Sequence, residues 1–422
     1  MGKFIESMYA KNIGKYKEAK IIFNSRFNFL VGANGCGKTT LLKYAAIIFN
    51  PNEAPIFRYD DNASVWIDYN NEGKRFRIGL GEDWVKNGKD YRNAIFYMWK
   101  KVVKDKDIDE AYMSYELEKN NIKIAPLILG AYRRIEYKKM EGMKRENNPL
   151  EEREKYRKNG ISNLEGGYLP NVKQWMINRY FEIEKEWAYN YKQNWNWIIE
   201  NLNIVSPYGN NFSFKEIRKD LEPIFILNEK ECYLEELSAG FQAILSLIFA
   251  IVEWIESINE ENNILIQKAE GTVFIDEIDV HLHPEWQIII RNMLDKIFPN
   301  LQFILTTHSP HLIASAKPGE IIKIPNNTDY IDIKANDNSY SGWSINEILE
   351  EIMEVKNLEK QEYNAKLKII MKYIMDKDIE NIKKSIEELK LIVHPDNTIV
   401  KVIEIKLAEL MLEENNDTYK ER

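Results

Sequence analysis

The chain has 422 residues, 44% of them hydrophobic and 29% charged, with a formal net charge of −8. These values describe a globular chain able to bury a large core, and they exclude a wholesale polyanion binder. Only Cys36 and Cys232 are cysteines, which excludes a disulfide framework or a cysteine-rich zinc site and makes a reducing, cytoplasmic compartment the default.

The N-terminal residues "MGKFIESMYAKNIG" lack a signal-peptide apolar core, and no run of about eighteen apolar residues is expected to span a bilayer. The segments "KFIESMYA", "AKIIFN" and "FNFLVG" are rich in aromatic and β-branched residues and predict strands. Immediately after the third comes "GANGCGKTT", Gly32 to Thr40, which matches G-x-x-x-x-G-K-[ST]. The glycines let the backbone wrap a phosphate, so that the amides from Asn34 through Thr40, with Gly35, Cys36 and Gly37 between, face the anion. Lys38 offers a point charge to the β- and γ-phosphates, and the Thr39 hydroxyl is placed to ligate Mg²⁺. Strand, loop and the helix "TTLLKYAAIIF" together point to a nucleoside triphosphate. Cys36 is read as a tolerated small residue rather than a redox switch.

"SVWIDYNNEGKRFRIGL" (64–80) alternates around a polar turn and predicts a hairpin, and "IKIAPLILGAYRR" (122–134) predicts a strand ended by Gly130. From 135 to 225 the chain turns charged and helical, with Trp175, Trp187, Trp195 and Trp197 read as a local core rather than a base-stacking platform. The basic bunches at 98–104, 132–139 and 153–158 are interleaved with acids and are read as solvated helix faces rather than a phosphate-tracking groove. The segment 237–258 is apolar on nearly all sides, hence a buried helix. It begins "LSAGFQ", where Ser238 stands at an N-cap position and Gly240 permits close approach of a backbone, a combination that suits an anion.

"GTVFIDEIDVHLHP" then presents Asp276, Glu277, Asp279, His281 and His283, which taken alone reads either as a metal cluster or as the end of a nucleotide-binding strand. The second reading places Asp276 beside Thr39 on the Mg²⁺ shell, and Glu277 where it polarises the attacking water. The strand "LQFILTTHS" brings His308 to the γ-phosphate side. An independent zinc site needs further ligands than His281 and His283 supply.

The order P-loop, "LSAGFQ", "VFIDE", "TTHS" resembles the ABC-type ATPase heads of the RecF/SMC-like branch, over about 1–130 and 225–330. "LSAGFQ" departs from that family's LSGGQ signature at Ala239 and by the additional Phe241. The resemblance implies an α/β P-loop NTPase head, with a mixed or parallel sheet, an antiparallel β subdomain, a helical insertion and a C-terminal helical tail. It implies a head-to-head homodimer with ATP and Mg²⁺ held between Lys38, Thr39, Asp276, Glu277 and His308 of one chain and Ser238 and Gly240 of the other, and Asp279 crossing the interface. The family's Q-loop glutamine is not evident, with Arg133 as its stand-in, and Tyr16 is the candidate adenine-stacking aromatic. The expected divisions are 1–134, 135–225, 226–335 and 336–422.

After His308 the chain has no strand bearing an Asp-x-Asp pair, so a Toprim nuclease domain of the kind some relatives carry is not expected. A capping box, Ser344 with Glu347, opens a helical tail whose apolar residues recur at three- and four-residue spacing. That tail is similar to those of Septu-type and retron-associated anti-phage ATPases. This implies an ATPase of a prokaryotic defence complex that gates a separate HNH-type nuclease and assembles beyond a dimer, with DNA or a retron ribonucleoprotein as a further partner and no membrane. A RecF-like DNA-repair ATPase that clamps DNA between dimerised heads is the alternative.

Overall fold

The computed structural model describes residues 2–57, 59–81, 99–133, 135, 137–167, 171–207, 212–259, 264–326, 331–355, 361–395 and 397–420. Met98, Arg134 and Glu136 of the basic stretches lie outside them. In chain order the elements are β1 (Lys3–Ile13), β2 (Tyr16–Ile22), β3 (Phe27–Val31), α1 (Lys38–Phe49), β4 (Tyr59–Asn71), β5 (Lys74–Leu80), β6 (Glu110–Tyr112) and β7 (Leu127–Leu129). There follow α2 (Pro149–Lys158), α3 (Gly160–Leu164), α4 (Val172–Glu182), α5 (Tyr189–Asn201), β8 (Phe212–Ile217), β9 (Pro223–Leu227), β10 (Lys230–Tyr233) and α6 (Ala239–Ile258). Next are β11 (Gly271–Ile275), α7 (Pro284–Ile297), β12 (Leu301–Thr306), α8 (Pro310–Ser315), β13 (Ile321–Lys323), β14 (Ile331–Ile333) and the short α9 (Ile345–Glu347), which runs on as a π-helical turn over Ile348–Ile352.

Five strands form a wholly parallel sheet in the order β13-β3-β12-β11-β7. Successive side chains of a strand point to opposite faces, and both faces here are apolar. Leu30, Ile128, Phe274, Ile304 and Ile322 enter one core with α1 and the strands of a second sheet. Phe29, Leu129, Val273, Ile275 and Leu305 enter another with α4, α5, α6 and α7. The second sheet, β14-β2-β1-β4-β5-β6, is antiparallel through β2, β1, β4 and β5 but takes a parallel strand at each edge. Beyond the shared apolar core, a buried amide joins it to the parallel sheet. Gln302 accepts from the Ile5 N–H at 2.9 Å and the Thr272 hydroxyl at 2.7 Å, and donates to the Ile5 and Asn24 carbonyls, both at 2.8 Å.

The expected insertion is not a separate body. Its helices begin at Pro149, and its Trp175, Met176, Trp195 and Ile198 belong to the same core as α6. The expected boundary at 225 falls inside β9, in a three-stranded antiparallel sheet β10-β9-β8. Trp175 and Trp195 are buried and stack at 5.8 Å, whereas Trp187 is 60% exposed. Helix α6 is long and apolar enough to cross a membrane, contrary to the expectation that no run would be, but 89% of its apolar window is buried inside the fold.

The first compact unit extends to Glu354 rather than to 335, because Ile348 and Ile352 are buried in the main core. The Ser344–Glu347 capping box is present: Ser344 N–H donates to the Glu347 carboxylate at 2.7 Å and Glu347 N–H to the Ser344 hydroxyl at 3.3 Å. The second unit, 355–422, contains α10 (Gln361–Met375), α11 (Ile379–Lys390) and α12 (Thr398–Lys420) around its own core of Ile370, Ile382, Ile386, Leu389, Val400 and Ile403.

The polar centre of the helical region is Glu256 on α6. Its side chain is 1% exposed and accepts from Trp175 Nε1 at 2.9 Å, Arg179 Nε at 2.7 Å and Asn194 Nδ2 at 2.9 Å. Removing one partner of a buried ion pair strands the other charge. Glu256→Ala is therefore expected to destabilise the first unit by about 3–5 kcal/mol, read as a fall in the denaturant midpoint.

Candidate functional site

The site forms where β3, β11 and β12 end side by side, the carboxyl edge at which open α/β sheets bind ligands. β3 runs into the glycine loop. Gly32, Gly35 and Gly37 have φ of 142°, 75° and 104°, values that side chains with a Cβ resist. At Gly32 a Cβ would come within 2.6 Å of the Ile324 carbonyl oxygen, and at Gly37 within 2.4 Å of the Tyr16 hydroxyl. Asn34 and Gly35 stand exposed at the crest of the loop, while Cys36 is buried beneath it.

Tyr16 corrects the sequence reading. It is 2% exposed, and its hydroxyl donates to the Cys36 carbonyl at 2.8 Å, so it supports the loop from below and offers no face to a base. Burial and the neighbouring Cys36 push its phenol well above the usual range. Lys15 adds a second prop, donating to the Gly35 carbonyl at 2.7 Å.

Lys38 opens α1 and folds back over the loop, donating to the carbonyls of Gly32 at 2.9 Å and Ala33 at 3.1 Å. Burial lowers its pKa, opposed in part by the thiol of Cys36 and the carboxylates of Asp276 and Glu277. Thr39 and the half-buried Thr40 follow on the same first turn. The Thr39 hydroxyl lies 3.1 Å from Asp276 Oδ1. Asp276 itself is 6% exposed at the end of β11 and also accepts from the Thr306 hydroxyl at 2.6 Å. These oxygens fit the hard-donor set that Mg²⁺ takes, and the open glycine loop with a buried lysine fits a triphosphate. Thr306 went unremarked in the sequence, although its position one residue before the "THS" turn puts it level with Asp276 across the parallel register.

Glu277 is held in a left-handed backbone conformation, φ 46°. Its N–H donates to Thr306 Oγ1 at 2.7 Å, and its carbonyl accepts from Val280 N–H at 3.0 Å and from the Arg133 guanidinium. Arg133 does not act as a Q-loop stand-in. It is 4% exposed and lies behind β11, where Nη1 donates to the carbonyls of Gly130 and Asp276, both at 2.9 Å. Burial pushes its guanidinium down to about 10, against the opposing pull of Asp279, Asp276 and Glu277, so it stays charged at neutral pH.

Asp279 is engaged through its Oδ1 within its own chain. It accepts from the Thr307 hydroxyl at 2.6 Å and the His308 N–H at 3.2 Å, tying the turn after β11 to the turn after β12. The imidazole of His308 is half-buried, and burial with the Lys38 charge lowers its pKa below the ordinary 6.5, which keeps the ring neutral at pH 7. His281 and His283 are exposed, His281 at φ 65° and His283 at the N-cap position of α7 with no side-chain capping bond. Among the described residues no three His, Cys, Asp or Glu side chains gather into a metal site.

Ser238 occupies the N-cap position of α6 as expected, but its exposed hydroxyl makes no capping bond. The turn is closed instead by Gln242, whose Nε2 donates to the carbonyls of Glu235 at 3.0 Å and Leu237 at 2.9 Å. Gly240 is needed for another reason than backbone approach: a Cβ there would meet the Trp286 ring at 2.8 Å. Phe241, the additional residue of the motif, packs edge-on against that same ring with centroids 5.2 Å apart. Lys173 of α4, 3% exposed, pairs with Glu222 and, at 2.6 Å, with Glu235, and so ties the helical region to the turn that carries Ser238.

Against known proteins, the chain is 24% identical over 414 residues to the Septu protein PtuA of Bacillus thuringiensis, covering 96% of this chain and 98% of that one. It is 33% identical over 161 residues to the Retron Vc95 probable ATPase of Vibrio cholerae, covering 35% and 30% of the two chains. The Retron Ec83 probable ATPase of Escherichia coli is 34% identical over 150 residues, 36% of this chain and 27% of that one. Among solved structures, the Smc head domain derived from Pyrococcus furiosus aligns at a TM-score of 0.45 and 16% identity, covering 80% of this chain and 95% of that one. The recombination mediator RecF aligns at 0.38 and 13%, covering 79% and 98%. Residues 27–314 match the family described as "AAA domain, putative AbiEii toxin, Type IV TA system", and since that span is more than half of the chain and holds the P-loop, Asp276, Glu277 and His308 together, the protein belongs to that family.

Proposed function

We propose that this chain is the ATP-binding and ATP-hydrolysing subunit of a prokaryotic anti-phage defence complex, and that it gates a separate HNH-type nuclease. The observation that carries the ATPase reading is the 3.1 Å contact between the Thr39 hydroxyl and Asp276 beneath an open glycine loop. The defence reading is supported by the end-to-end similarity to the Septu protein PtuA, of which the chain covers 98%.

On this reading the loop amides from Asn34 to Thr40 bind the phosphates, and Lys38 exchanges its bonds to the Gly32 and Ala33 carbonyls for the β- and γ-phosphate oxygens. Thr39 and Asp276 hold Mg²⁺, which supplies charge neutralisation on those same oxygens. Glu277 orients and deprotonates the attacking water. Neutral His308 hydrogen-bonds the γ-phosphate without adding a competing cation. The N-terminal end of α6, where Ser238 and Ala239 are exposed and the Ser238 hydroxyl makes no capping bond, is an anion-binding end that serves the nucleotide of a second copy. Asp279 contributes from beside that interface. Two ATP molecules are then enclosed by a homodimer, the unit of a higher assembly, with the 355–422 helices available to a nuclease partner and DNA or a retron ribonucleoprotein as the sensed species.

Three outcomes test this. Glu277→Gln should retain ATP binding while turnover falls by about 10²-fold or more, and light scattering should show a longer-lived dimer. Ser238→Arg should leave nucleotide binding to the monomer intact and abolish hydrolysis; a normal rate from that variant would refute the composite site. Co-expression with the neighbouring gene should yield a stable complex whose nuclease activity responds to ATP. Recovery of the chain free of any nuclease, with ATP-dependent and salt-sensitive DNA binding of its own, would favour a DNA-clamping ATPase instead.

A further inference from the structure

The turn after β11 contains three carboxylates, Asp276, Glu277 and Asp279, within four residues, and one buried cation behind them. That cation, Arg133, makes three guanidinium hydrogen bonds, all to main-chain oxygens: Gly130 just past the end of β7, then Asp276 and Glu277. From the other side the Thr306 hydroxyl takes the Glu277 N–H. The peptide units flanking Glu277 are thus gripped at both donor and acceptor, and the residue between them sits at φ 46°. A non-glycine residue in this conformation is strained and persists only when its surroundings over-determine it.

We propose that Arg133 is a positioning residue for hydrolysis, holding Glu277 in its left-handed backbone conformation and so fixing where the Glu277 carboxylate stands. The inference rests on the reading of Glu277 as the group that activates water. Arg133 touches no reacting atom: it is 4% exposed, and its Nη1 and Nη2 are directed at three main-chain carbonyls. Without its bonds Glu277 relaxes toward negative φ, which swings the Cα–Cβ direction and carries the carboxylate away from its place. Displacements of about 1 Å at a catalytic group can lower a rate by about 10²-fold. An ammonium at this position keeps the charge but cannot span three acceptors as a planar fork does, so lysine rescues only in part.

The experiment is a double-mutant cycle on the full chain, with steady-state turnover and the affinity for a fluorescent ATP analogue measured in parallel. Glu277→Gln alone sets the reference; if it leaves turnover unchanged, the assignment of Glu277 fails, whatever Arg133 does. Given that reference, Arg133→Gln should lower kcat by about 10- to 100-fold while analogue affinity stays within about threefold, with Arg133→Lys between it and the wild type. In the Glu277→Gln background the same Arg133 substitutions should cost less than about twofold more, because the group they position is already gone. Wild-type kcat in both Arg133 variants would overturn the proposal. So would an undiminished further loss in the Glu277→Gln background, or a parallel fall of kcat, affinity and melting temperature, any of which marks Arg133 as a general support of the fold.

Discussion

The buried carboxylate of Asp276 joins three elements at one point. It ends β11, accepts from Thr39 at the start of α1 and accepts from Thr306 at the end of β12. Charge taken out of water must be compensated by polar partners, so these hydroxyls are structurally required even before a metal ion is considered. The register of the parallel strands delivers them: Ile275 lies opposite Leu305, and Thr306 opposite Leu30, just before the loop. A one-residue slip would turn every side chain to the other face and separate the hydroxyls from the carboxylate.

That register is itself secured by burial on both faces. Phe274 and Ile304 enter one core while Val273, Ile275 and Leu305 enter the other. Gln302 then locks the second sheet to β12 through the Ile5 backbone, so strand positions on one side set those on the other. Tyr16 belongs to the same logic, since it comes from the second sheet and ends under the P-loop. The loop keeps exposed amides at its crest because its underside is already satisfied.

The helical region has a comparable role at the other candidate anion site. Its α4 helix sends Lys173 to Glu235 beside the Ser238 turn, and its Arg179 to Glu256 on α6. Both ends of the Arg179–Glu256 pair and the Lys173 end of the other are nearly excluded from water, where unpaired charge is most costly. Movement of α4 and movement of the Ser238 turn are therefore coupled by contacts that neither can drop cheaply. In the same way, the turn of Asp276–Asp279 and the turn of Thr307–His308 are coupled through Asp279.

Local chemistry made much of this legible in advance. A glycine loop between strand and helix, an acidic pair after an apolar run and a serine before a buried helix each carry their signal within a few neighbouring residues, and the Ser344–Glu347 box needs only three. Sequence alone thus determined the glycine loop between strand and helix and the acidic turn that the fold brings to it, and its resemblance to ATPase heads implied the sheet on which both stand. What needed tertiary structure were the residues whose partners are distant: Tyr16 as a prop rather than an aromatic platform, Arg133 as a clamp rather than a ligand, Asp279 engaged in its own chain, and the helical region merged into the main core. A side chain's type limits which bonds it can form, but its role follows from where the fold puts its partners, and for Arg133 two of the three lie 143 and 144 residues away.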